Sequence, residues 1–83
     1  MGDVICVFRI MPSEPEKFDG VKKALESLKP QRLEEEPIAF GLKALKFTKI
    51  IPDEAGEIEK LEESLNSIDG VDNVETLTVS RSL

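Results

Sequence analysis

Residues 34–45 run Glu-Glu-Glu-Pro-Ile-Ala-Phe-Gly-Leu-Lys-Ala-Leu and gather the groups best suited to molecular recognition. Three carboxylates lead into a turn punctuated by Pro37 and Gly41, and that turn carries Phe40. Pro37 holds Glu36 in an extended conformation, and Gly41 permits a backbone angle that other residues avoid. The segment reads as a hairpin tip that presents Ile38 and Phe40, followed by a strand bearing Leu42, Lys43, Leu45 and Phe47. An aromatic at a tip is either folded back under its own turn or offered to a partner. The residues alone leave both uses open. Neither is covalent chemistry.

Groups for covalent chemistry are missing elsewhere too. The chain has no histidine, which removes the commonest general base and metal ligand together. Its single cysteine, Cys6, lies in an apolar run and reads as a small core residue rather than a reactive thiol. No CxxC or Cys/His cluster suggests a metal, no cofactor is implied, and no phosphate-cradling glycine motif suggests that the chain binds a nucleotide itself. Aspartate and glutamate total 17, yet they fall on expected helix surfaces and an edge strand, with nothing to raise a pKa. A catalytic residue is therefore not expected, and the chain reads as no enzyme.

Net charge is −6 with a pI of about 4.6. That argues against direct nucleic-acid binding, which needs a cationic surface, and suits either a basic protein partner or plain solubility. Phe8 and Phe47 are the only candidates for base-stacking aromatics on the central strands; with few cations beside them they read as core. Eighty-three residues make one small domain, 1–83, burying about 60–65% of the surface its unfolded chain exposes. Without a signal peptide or a long apolar run, the expectation is a soluble cytoplasmic protein with no membrane contact.

An internal repeat supplies the scaffold. At an offset of forty residues, Met11-Pro12-Ser13-Glu14 aligns with Ile51-Pro52-Asp53-Glu54. Phe18, Val21, Leu25 and Leu28 then fall on Ile58, Leu61, Leu65 and Ile68. Both sets draw one apolar stripe along a helix. Proline closes each preceding strand, and Ser13 and Asp53 are placed to cap the helices. Strands are expected near 3–11, 31–36, 42–51 and 72–80, with helices near 14–28 and 54–68. Two tandem βαβ units with right-handed crossovers give a ferredoxin-like α+β sandwich: a four-stranded antiparallel sheet with two helices on one face. The first and third strands should be central. The second, with Glu34, Glu35 and Glu36, should be an edge whose charges discourage aggregation. The lysine-rich first helix and the glutamate-rich second read as solvated faces.

Pro37-Ile38-Ala39-Phe40-Gly41-Leu42-Lys43-Ala44-Leu45 closely resembles the signature of the translation elongation factor 1-beta family. Eukaryotic members carry Pro-Ile-Gly-Phe-Gly-Ile-Lys-Lys-Leu at this place. The opening Met1-Gly2-Asp3-Val4 and the overall length look like the short archaeal type. This resemblance covers essentially the whole chain. It implies guanine nucleotide exchange on elongation factor 1-alpha, the GTPase that delivers aminoacyl-tRNA, with GDP release and GTP loading during elongation.

The resemblance also assigns roles. Phe40 matches the family aromatic that enters the nucleotide domain of the GTPase as a wedge. Pro37, Ile38, Ala39 and Gly41 would shape the tip around it, and Lys43 is placed to meet an acidic group of the partner. The bland reading of Lys43, a solvated strand lysine, stands beside that one. Eukaryotic members have a penultimate lysine that approaches the magnesium site; here Ser82 holds that position and Arg81 is the nearby cation. Ala44 replaces the second lysine of the motif. A reading from another class is a ferredoxin-like regulatory or assembly module that binds a small ligand or subunit through its sheet edge.

Overall fold

Two proline-ended strands, each followed by an amphipathic stripe, leave few ways to hide both stripes, and the chain adopts the expected one. The computed structural model describes residues 2–39 and 41–82, with the Ser82 side chain left out. Strand β1 spans Asp3–Pro12. A short 3-10 turn, Pro15–Lys17, leads into helix α1, Phe18–Ser27. Strands β2, Arg32–Pro37, and β3, Lys43–Pro52, form the central hairpin. Helix α2, Glu57–Asn66, and strand β4, Val71–Ser82, complete the second half. The sheet is antiparallel in the order β2-β3-β1-β4, so the first and third strands are central and β2 is an edge. This is a ferredoxin-like α+β arrangement.

Alternation along β1 builds the core. Val4, Cys6, Phe8 and Ile10 are buried on the face that meets the helices, while Ile5, Val7 and Arg9 are half-buried on the other. From β3, Leu45, Phe47 and Ile51 join them, and Val21, Leu25, Leu61 and Leu65 close the core from the helices. Phe18, Leu28, Ile58 and Ile68, the outer members of the two stripes, are half-buried against it. Phe8 and Phe47 lie directly opposite in the central strand pair, with ring centroids 6.5 Å apart and tilted by 44°. Burial, and then the Glu62 carboxylate, push the Cys6 thiol above its usual range. It is a core residue, as expected.

Helix starts correct the sequence reading. Neither Ser13 nor Asp53 caps a helix by its side chain. Pro15 opens a 3-10 turn whose N-cap is Glu14, and α1 follows only from Phe18. The Ser13 backbone N–H instead donates to the Gly70 carbonyl at 2.8 Å. At the second start, Gly56 at φ 84° is the N-cap, and its carbonyl accepts the first helical bond from Lys60. That left-handed kink carries Asp53 away from the helix. Its carboxylate meets Arg81.

Candidate functional site at the hairpin tip

The β2–β3 ladder fixes the tip. Pairing runs from Arg32 opposite Thr48 to Pro37 opposite Lys43, which leaves residues 38–42 to turn the chain. The Ile38 N–H donates to the Leu42 carbonyl, and the Leu42 N–H to the Ala39 carbonyl, both at 2.9 Å. Gly41 has a φ of 78°, the left-handed region that its place in the sequence demanded. Pro37, Ile38, Ala39, Gly41 and Leu42 are all exposed. Ile38 is 47% exposed and Leu42 43%, a high value for two neighbouring aliphatics in a chain whose other large aliphatics mostly pack inward. Phe40, the expected wedge, lies outside the described residues.

Charge braces the stem from below. On the helix-bearing face, Glu35 accepts from Lys22 of α1 at 2.9 Å and from Lys43 at 3.4 Å. On the open face, Arg9 of β1 donates through Nε to Glu36 at 2.8 Å and through Nη1 to Glu75 of β4 at 3.3 Å. The acidic run therefore does more than guard an edge: consecutive carboxylates clamp the hairpin stem to both faces of the sheet. Lys43 is not simply solvated. Its ammonium lies 5.7 Å from the centre of the Phe18 ring, within cation–π range.

Glu35 carries a consequence for pH. The hydrogen bond from Lys22, then the charge of Lys22, and to a lesser degree Lys43 hold its carboxyl below the ordinary value of 4.5. A depressed carboxylate stabilises the fold above its unfolded pKa and loses that contribution as pH falls through the folded value. Wild type should therefore melt higher than Glu35→Gln near neutral pH, with the gap closing as pH drops below 4.5. Melting curves of the pair across acidic pH check this; a gap that widens on acidification would contradict it.

Arg81 is not part of this cluster. It stands opposite Val4, while Asp3 is opposite both Ser82 and Pro52. Between Lys43 and Pro52, β3 spans nine residue steps, or roughly 30 Å of strand. The expected partner-binding residues thus divide between the two ends of a body 42 Å long and about 20 Å across. At the far end, Arg81 donates through Nε to Asp53 at 2.7 Å. That hydrogen bond, then the Asp53 charge, raises the Arg81 pKa further. Asp53 escaped notice as a partner of Arg81 because the two are 28 residues apart. Leu42 and Phe18 were also missed at the tip end, the first read as strand interior and the second as helix core. Among the described residues no group of three or more potential metal ligands is gathered, and no helix is long and apolar enough to cross a membrane.

The chain is thus a small ferredoxin-like α+β sandwich whose β2–β3 hairpin ends in an exposed, largely apolar tip. The family is defined by comparison with known proteins: residues 5–81 match the EF-1 guanine nucleotide exchange domain. The chain is 42% identical to elongation factor 1-beta of Methanoregula boonei over 83 residues, covering 96% of this chain and 98% of that protein. It is 39% identical to elongation factor 1-beta of Methanothermobacter thermautotrophicus over 87 residues, covering 98% of each chain. Elongation factor 1-beta of Thermoplasma acidophilum is 38% identical over 86 residues, which cover 96% of this chain and 98% of that one. This chain belongs to the EF-1 guanine nucleotide exchange domain family, in its short archaeal form. The regulatory-module reading is not favoured.

Proposed function

We propose that this chain is a single exchange domain, 1–83, that binds elongation factor 1-alpha in the cytoplasm and promotes GDP release and GTP loading during translation elongation. The observation that carries this reading is the family match across residues 5–81. The exposed apolar hairpin tip is consistent with it. The domain needs no cofactor and performs no covalent chemistry. Exchange requires only that its bound form of the GTPase hold nucleotide and magnesium less well, and each tenfold of weakening needs about 1.4 kcal/mol of conflict between the two ligands.

Two devices supply that conflict in this proposal. Phe40 is the apolar wedge that displaces an element of the nucleotide domain, with Pro37, Ile38, Ala39 and Gly41 shaping the tip that carries it. Lys43 is placed to pair with an acidic group of the GTPase. Arg81 offers a second cation about 30 Å away, so it engages a different part of the partner from the tip. Its ordinary partner is Asp53, and engagement means exchanging that carboxylate for one on the GTPase or for a phosphate. The test is release of labelled GDP from elongation factor 1-alpha with and without the domain: acceleration by substoichiometric amounts is expected, and release at the intrinsic rate would end the proposal.

A further inference from the structure

Beside the hairpin tip, the turn after β1, the start of α1 and the first residues of β3 and β4 enclose a cleft of about 380 Å³. Met11, Pro12, Phe18 and Leu42 are apolar members of its lining. The lining also holds three carboxylates, Glu14, Asp19 and Asp72, with Lys43 the only cation among its described residues. None of these three carboxylates forms an ion pair among the described residues. Three such carboxylates in one lining with apolar residues, on an already acidic domain, form a surface complementary to a cation with an apolar stem.

We infer that this cleft receives an arginine side chain of the GTPase, seated beside the tip while the tip engages the same partner; the inference rests on the exchange reading above. Arginine fits better than lysine. Its three-carbon stem can lie on Leu42 and Pro12, its planar guanidinium can stack on Phe18, and its five N–H groups can reach carboxylates on several sides at once. The ring already attracts a cation, since Lys43 sits over it at 5.7 Å. Glu35 accepts from that same ammonium at 3.4 Å. The cleft thus adds specificity for a basic surface to the apolar contact made by the tip.

The test uses Glu14→Lys/Asp72→Lys and its neutral counterpart Glu14→Gln/Asp72→Asn, both at exposed positions. Release of labelled GDP from elongation factor 1-alpha is followed against factor concentration at several salt concentrations, beside melting curves. The lysine variant should need about 10- to 100-fold more protein for half-maximal exchange, and the neutral variant an intermediate amount. Both should melt close to wild type, and their exchange should depend less on salt. If wild type accelerates release and both variants match it at every salt concentration, the cleft is not an arginine receptor. If wild type itself fails to accelerate release, the exchange reading falls first and the inference falls with it. The neutral variant keeps the test decisive if the charge reversal unfolds the domain.

Discussion

Phe47→Ala will cost about 3–5 kcal/mol of stability, the usual range for truncating a buried phenylalanine. Phe47 is wholly buried on β3, directly opposite Phe8, and belongs to the same core cluster as Val21, Leu25, Leu61 and Leu65 of the helices. Its fellow core residues Leu45, Leu25 and Leu65 are themselves fully buried on β3, α1 and α2, so relaxation into the space would disturb their own packing. A domain this size has only about 4–12 kcal/mol to lose. At about 4–8 °C per kcal/mol, the melting temperature should fall by at least roughly 12 °C. A loss of only a few degrees would mean that the central strand pair is not the core described above.

Phe40→Ala should do the opposite. The described residues flanking it are exposed, Ile38 at 47% and Leu42 at 43%. If Phe40 faces the partner, truncation should leave the melting temperature nearly unchanged, since a partner-facing side chain adds little to the core. Exchange should collapse: an aromatic anchor buried at an interface is commonly worth about 2–4 kcal/mol, or roughly 30- to 1,000-fold in affinity. Measured together, melting and GDP release separate the two phenylalanines. Should Phe40→Ala unfold the domain, or exchange like wild type, Phe40 is a packed turn residue and not a wedge.

The architecture was legible because its signals are local and repeated. Each half announces a strand by alternation, ends it with Pro12 or Pro52, and follows with a four-residue apolar stripe. Helix starts were less legible for a definite reason. Ser13 and Asp53 have the right side chains in the right places, yet Pro15 and Gly56 redirect the backbone, and Arg81 competes for Asp53 from 28 residues downstream. Local pattern contains no trace of such a competitor. The tip was readable from Pro37 and Gly41, whose backbone restrictions act within the turn itself. That Arg81 stands at the opposite end could be known only from strand register. The acidic cleft was hidden because Phe18 belongs to a helical stripe and shows an open side only where the stripe ends.

The central claim is that this domain and guanine nucleotide compete on one GTPase. The most direct measurement is release of labelled GDP from elongation factor 1-alpha, run beside the affinity of the domain for nucleotide-free and GDP-saturated GTPase. Linkage makes the affinities reciprocal: whatever factor the domain imposes on GDP affinity, GDP must impose on the affinity of the domain. Substoichiometric domain should accelerate release, and the domain should bind nucleotide-free GTPase more tightly than the GDP-saturated form. Equal affinity for both forms, with release unchanged, would contradict it.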